Sequence, residues 1–238
     1  MVFNESCLDT MARLSEDSVD VVITSPPYNM NLRVRNNKHC SRQITKEFST
    51  KYNGFTDNLA MDEYFRFHKE VLDRLLEISP LVFYNVQLVT GNKQAVFKLF
   101  GEFSQKIKDV IIWDKLNAQP AMQFGVLNSQ YEMIIIFDKH NAISRQFKDA
   151  LFERGTLSNV WYIKRQRVKS DVYHGATFSE ELVEKILTNF VSKGSKVYDP
   201  FAGTGTTGVV AKRLGYEFIG SEIVSSYADL ANKRIGVV

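Results

Sequence analysis

The sequence predicts an α/β fold, with a parallel or mixed sheet covered by helices on both faces. Three observations carry this. Short apolar runs bounded by turn residues alternate with stretches of helical period along the whole chain. One run, Val19 to Ile23, is apolar apart from Asp20 and is stopped by Ser25-Pro26-Pro27, as suits a buried parallel strand ending at the ligand-bearing edge of a sheet. Gly203, Gly205 and Gly208 fit G-x-G-x-x-G between a strand pattern and a helix pattern.

The elements follow in order. A short strand and a turn or helix around Leu8 to Leu14 precede the Val19 strand. Residues 31–58 are polar, basic and aperiodic, so a long functional or mobile loop is expected there. Tyr64, Phe65, Phe67, Val71, Leu72, Leu75 and Leu76 give a wide apolar face to a helix from about Asp62 to Ile78. Leu81 to Val86 reads as a strand, and Thr90 is expected to cap a helix running to about Phe103. Asp109 to Trp113 and Tyr131 to Phe137 read as strands separated by a loop over 118–130. Residues 140–173 are mixed and partly basic. Leu182, Val183, Ile186, Leu187 and Phe190 form the stripe of a helix over Ser179 to Val191. Strand Lys196 to Tyr198, the glycine turn, helix Thr206 to Leu214, strand Glu217 to Ile223 and helix Ser226 to Arg234 complete a single domain.

A length of 238 residues is enough for one large core. No apolar run approaches a membrane span, and the amino end shows no signal-peptide pattern, so an intracellular, cytoplasmic protein is expected. Cys7 and Cys40, like His39, His68, His140 and His174, match no ligand spacing, so no metal is expected. The net charge of +3 says little, but its distribution says more. Arg33, Arg35, Lys38, Arg42, Lys46 and Lys51 face only Glu47, and Lys164, Arg165, Arg167 and Lys169 face no acid between them. Two such patches fit a polyanion, and they equally fit solvated loops.

Two stretches carry chemistry. Pro26 and Pro27 fix two φ angles and remove two N–H donors, making a stiff knuckle after Thr24. It offers the Ser25 hydroxyl, backbone carbonyls and the Tyr28 ring, which together can hold a planar group bearing an NH2. A proline-terminated strand with a core tyrosine fits the same residues. In the second stretch, Asp199 precedes the glycine turn, and Glu222 ends the next strand 19 positions after Gly203. A carboxylate there can accept both hydroxyls of a ribose. Asp199 suits a cationic ligand and would repel a pyrophosphate, although a nicotinamide-dependent oxidoreductase also uses such a turn.

Taken together, Asp199-Pro-Phe-Ala-Gly-Thr-Gly-Thr-Thr207 resembles the S-adenosylmethionine motif of DNA amino-methyltransferases, and Thr24-Ser-Pro-Pro-Tyr-Asn29 resembles their catalytic motif. Their order is that of the circularly permuted β group. Ile111 to Asn117, Tyr131 to Lys139 and Asn159 to Ile163 are similar to its intermediate blocks, and His174 to Ile186 to the block that holds the cofactor's carboxylate. The resemblance implies a Rossmann-like methyltransferase fold with a seven-stranded mixed sheet. It implies catalytic roles for Ser25, Pro26, Pro27 and Tyr28. It implies cofactor contacts from Ser6, Asn29, Thr177, Phe178, Ser179, Asp199, Phe201, Gly203, Thr204, Gly205, Thr206 and Glu222. Double-stranded DNA would meet Arg33, Arg35, Lys38, Arg42, Lys164, Arg165, Arg167 and Lys169.

The implied reaction methylates the exocyclic amino group of a flipped base, as in restriction-modification systems. Serine in Ser-Pro-Pro-Tyr leans toward cytosine N4 over adenine N6. Tyr28 is expected to act through its ring face, which phenylalanine keeps. The chain departs from the family in having Glu5-Ser6-Cys7 where Gly-Asp-Cys is common, and Ser179 where a proline is usual. Its recognition segment, about 140–173, is short, which raises the expectation that a second copy or a partner supplies part of the DNA surface. A catalytically idle DNA-binding relative is the remaining alternative.

Overall fold

The structure, a computed structural model, describes residues 1–30, 32–35, 38–41, 58–119, 124–140, 142–165 and 178–238, with the backbone alone at 32–35, 38–41, 118 and 119. In chain order the elements are β1 (Val2–Phe3), α1 (Cys7–Ala12), β2 (Val21–Thr24), β3 (Leu32–Arg35), β4 (Lys38–Ser41), α2 (Met61–Ile78), β5 (Leu81–Val86), α3 (Lys93–Glu102), a 3₁₀ turn (Ser104–Lys106), β6 (Ile107–Gln119), β7 (Ser129–Asp138), β8 (Val160–Tyr162), α4 (Glu180–Phe190), β9 (Lys196–Asp199), α5 (Thr206–Arg213), β10 (Glu217–Ser221) and α6 (Ser225–Gly236).

Period-2 alternation builds the layers. Val22, Val82, Tyr84, Val86, Ile135 and Phe137 point to one face, where Met11 of α1, Val71, Leu72 and Leu75 of α2, and Val96 and Leu99 of α3 pack. Val21, Ile23, Phe83, Ile134, Ile136 and Val197 point to the other, against Leu182, Val183, Ile186 and Leu187 of α4 and Val210 of α5. The sheet runs β1-β10-β9-β2-β5-β7-β6-β8. β7 alone runs against its neighbours β5 and β6, and every other pairing in this sheet is parallel. The carboxyl ends of β2, β5 and β9 therefore share one edge with the amino end of β7.

Four expectations need correction. The described sheet has eight strands where seven were expected. The eighth, β8, is only three residues long, with Trp161 buried between exposed Val160 and Tyr162, too short to announce a period. Strand β6 runs on to Gln119, with register shifts on either side of the paired stretch, so the loop expected over 118–130 is shorter. Residues 32–35 and 38–41, expected in a loop, form an antiparallel hairpin that sets Arg35 opposite Lys38. Thr90 does not cap α3. Asn92 occupies that position, its Oδ1 accepting the Val89 N–H at 2.8 Å and its Nδ2 donating to the Gln87 carbonyl at 3.0 Å.

Gly205 shows how tightly the glycine turn is set. Its φ is +82°, and a Cβ there would lie 2.8 Å from the Ala231 Cβ and 2.9 Å from the Ala231 Cα of α6. Both the conformation and the space demand glycine. Gly205→Ala is expected to destabilise the protein by about 2–4 kcal/mol, strain and overpacking together. Thermal unfolding checks this. An unchanged melting temperature would show that α6 yields freely.

Candidate functional site

Strand β2 ends at Thr24, and the two prolines that follow cannot continue the ladder, so the chain turns out over the sheet edge. Beside β2, strand β9 ends at Asp199, where the chain enters the glycine turn. The buried Thr24 hydroxyl donates to Asp199 Oδ1 at 2.8 Å and joins the two stretches. Asp199 Oδ1 also accepts the Phe201 N–H at 3.1 Å, and Oδ2 accepts the Thr207 hydroxyl at 2.7 Å. No described cation pairs with this carboxylate. Burial pushes its acid up to about 6, with the Thr207 and Thr24 hydrogen bonds pulling the other way.

Glu222 follows β10. Its Oε2 accepts the Gly203 N–H at 2.9 Å and its Oε1 accepts the Val224 N–H at 2.9 Å. Burial raises this acid too, and the Asp199 charge adds to the rise. Both carboxylates line one cavity of about 1040 Å³, its open mouth included. Ser25, Pro26, Pro27 and Tyr28 line the same cavity, as do Ser6, Phe178, Phe201, Gly203, Thr204 and Thr206. A space holding two carboxylates and several aromatic rings suits a ligand with cationic and hydroxyl groups on an apolar body. It does not suit a pyrophosphate, since the Gly203 N–H already serves Glu222.

Behind the knuckle lies a polar network. Ser25 Oγ and Tyr28 Oη are 2.6 Å apart, and Tyr28 Oη donates to Glu132 Oε2 at 3.0 Å. The Asn85 amide Nδ2 reaches Tyr28 Oη at 2.7 Å, Glu132 Oε2 at 2.7 Å and Ser25 Oγ at 3.2 Å. Glu132 Oε1 faces Lys115 Nζ at 3.2 Å and Arg165 at 3.6 Å. Lys115 is 1% exposed, and burial pulls its ammonium below the usual lysine value, partly offset by Glu132.

A family profile described as DNA methylase, of the N6/N4 type, matches residues 19–233. The chain belongs to the N6/N4 DNA methylase family. Among curated relatives, the type II methyltransferase M2.DpnII of Streptococcus pneumoniae is 26% identical over 94% of this chain and 85% of its own length. M.HinfI of Haemophilus influenzae is 25% identical over 98% of this chain and 67% of its own length. Among solved structures, the cytosine-N4-specific PvuII DNA methyltransferase superposes with a TM-score of 0.72 at 16% identity, over 98% of this chain and 85% of that one. The M1.HpyAVI–SAM complex superposes at 0.68 with 19% identity, over 99% and 98%. These superpositions support the fold.

The methylase places the remaining candidates as follows. Asn29 is not at the cavity. It adopts φ +56°, a conformation asparagine tolerates, and its Nδ2 donates to the carbonyls of Leu59 and Gly91, both at 2.8 Å. Ser179 is buried outside the cavity at the start of α4, its carbonyl accepting the Leu182 and Val183 N–H groups. Gly205 shapes the turn and does not line the space. The Pro27 carbonyl is not free either, since the Tyr64 hydroxyl donates to it at 2.9 Å. Tyr28 contributes more than a ring, because its hydroxyl is the centre of the network.

Of the basic residues, Arg165 reaches Glu132 and Lys164 is exposed. Arg33, Arg35 and Lys38 lie on the hairpin, where only the backbone is described. Arg42, Arg167, Lys169 and Thr177 lie outside the described residues. Glu5, Cys7, Phe67, Thr207 and Ile223 line the cavity without having been singled out. Phe67 is a second-turn side chain of the α2 stripe and looked like core.

The Asp199 acid has a consequence for stability. Its folded value of about 6 exceeds the ordinary 3.8, so the folded state holds the proton more tightly than the unfolded state. Stability is thus fullest below about 4 and is lost as the pH rises through 6. A shift of this size amounts to about 3 kcal/mol. Asp199→Asn is expected to flatten the fall in melting temperature between pH 4 and 7. Parallel curves for parent and variant would contradict this.

Proposed function

We propose that this methylase transfers a methyl group from S-adenosylmethionine to the exocyclic amino nitrogen of a base flipped out of double-stranded DNA, and that the base is cytosine. The observation that carries the reading is the shared cavity, which Ser25 and Tyr28 line together with Asp199 and Glu222. When bound, S-adenosylmethionine supplies an electrophilic methyl group on a sulfonium. Asp199, buried and without a described cation, holds the ammonium of the methionine moiety. Glu222 accepts the ribose hydroxyls. Phe67, Phe178 and Phe201 give the cavity apolar walls for the adenine.

An exocyclic amino group is a weak nucleophile because its lone pair is delocalised into the ring. Acceptors aimed at its hydrogens favour a directed lone pair, an effect of electrostatic preorganisation. Ser25 Oγ and the Pro26 carbonyl provide them, and Tyr28 stacks on the extruded base. The cytosine choice rests on serine opening the Ser-Pro-Pro-Tyr motif and on the cytosine-N4 specificity of the PvuII enzyme. The order of the motifs, knuckle first and glycine turn last, supports assignment to the permuted β group. The type II relatives support a place in restriction-modification. The hairpin cations and Lys164 are positioned by this reading on the DNA phosphates, with 140–173 as the segment that reads sequence.

Two measurements test this. Single-turnover transfer of labelled methyl groups to DNA, followed by nucleoside mass spectrometry, is expected to give N4-methylcytosine. Methylated adenine would overturn the choice of base, and no transfer would overturn the reading. Ser25→Ala is expected to slow the step by about 10²–10³, by comparison with loss of one oxyanion-hole donor. Calorimetry with S-adenosylhomocysteine is expected to show affinity falling about tenfold from pH 7 to pH 5 as Asp199 takes up a proton and loses its charge. A flat profile would place the ammonium elsewhere.

A further inference from the structure

Ser25, Tyr28 and Glu132 form a directional chain of hydrogen bonds. Glu132 Oε1 meets Lys115 and Arg165, and Oε2 meets Tyr28 and Asn85. A carboxylate so placed only accepts, so Tyr28 donates to it. The Tyr28 hydroxyl has a single hydrogen, so Ser25 must donate to Tyr28 across their 2.6 Å contact. The lone pairs of Ser25 Oγ are then left for incoming donors, one being the Asn85 amide at 3.2 Å. The chain of three groups thus fixes Ser25 as an acceptor at the cavity wall and ends, one residue deeper, on a buried base.

We propose that Glu132 is the terminal acceptor of the proton that the target amino group loses on methylation, reached through Ser25 and Tyr28. This rests on the amino-methyl transfer proposed above. The balance is as follows. The amino nitrogen's lone pair forms the new N–CH3 bond, the CH3–S bond breaks, and its electron pair neutralises the sulfonium. The nitrogen now carries one proton too many. That proton passes to Ser25 Oγ, the Ser25 proton passes to Tyr28 Oη, and the Tyr28 proton passes to Glu132 Oε2. Each oxygen is again neutral, and Glu132 is a carboxylic acid. Lys115 and Arg165 set two cations against the carboxylate's other oxygen. Asn85, uncharged on β5, bridges all three members and holds them in line. Glu132 touches no reacting atom, so it is a relay and positioning residue.

Glu132 is faced by Tyr28 from the knuckle, Lys115 from β6 and Arg165 after β8. The experiment is single-turnover methyl transfer to DNA at saturating S-adenosylmethionine, in H2O and in D2O, for the parent, Tyr28→Phe, Glu132→Gln and Glu132→Asp. The parent is expected to show a normal solvent deuterium isotope effect, since three protons move along the chain. Tyr28→Phe keeps the ring and the Lys115–Glu132 pair but breaks the chain. It should be slower by about 10- to 100-fold, consistent with loss of proton-transfer assistance. Its solvent isotope effect should disappear, while affinity for S-adenosylhomocysteine is retained. Glu132→Gln should be slower by about 10²-fold with no solvent isotope effect, and Glu132→Asp should recover part of the rate.

Parental rates in Tyr28→Phe and Glu132→Gln would overturn the relay. So would slower rates that keep the parental solvent isotope effect, since that pattern marks a purely structural role. If Glu132→Gln does not fold with Lys115 unpaired, Tyr28→Phe decides alone. A parent that transfers no methyl group overturns the underlying reaction, whereas an active parent with unaltered variants sinks the relay only.

Discussion

The hydrogen bond from the Thr24 hydroxyl to Asp199 Oδ1 holds together everything that follows from this fold. It is buried, and it joins the ends of two adjacent parallel strands. One strand leads into a proline knuckle and the other into a glycine turn. A parallel sheet brings carboxyl ends to one edge, and both stretches leave the sheet there because neither can continue as strand. Pro26 and Pro27 lack donors, and Gly203 and Gly205 sit at φ +52° and +82°. The cavity is the space between these two exits.

Charge within that space is arranged by what is withheld from it. Asp199 and Glu222 receive hydroxyl and amide donors but no described cation, and burial makes both reluctant to ionise. A positively charged ligand relieves that cost, which is why a sulfonium cofactor fits and a pyrophosphate does not. Glu132 has different neighbours. Two cations face it, and its other oxygen is turned toward the knuckle. Carboxylates on neighbouring parts of one sheet edge thereby take different tasks.

The local features of this arrangement were legible in the sequence. A double proline after an apolar run and three glycines between strand and helix each act through their own backbone, so their spacing announces them. The apolar stripes of α2 and α4 were equally plain. What escaped lies in pairings across long separations. Asn85, Glu132 and Lys115 come from three strands, and a lone glutamate at the start of Tyr131 to Phe137 reads as a polar strand end until β7 is seen antiparallel to β5. Asn29 was misplaced for the converse reason. It belongs to the motif in sequence, but its left-handed backbone carries the side chain away to Leu59 and Gly91. β8 escaped because three residues are too few to show alternation.

The central claim is that one cavity holds both the methyl donor and the target base. A crystal structure of the protein with S-adenosylhomocysteine and a DNA duplex that it methylates tests this directly. The account expects the ammonium against Asp199, the ribose on Glu222, and an extrahelical base stacked on Tyr28 with its amino nitrogen in hydrogen-bond reach of Ser25 Oγ. S-adenosylhomocysteine bound with its ammonium away from Asp199, or a base extruded to a different surface, would contradict it.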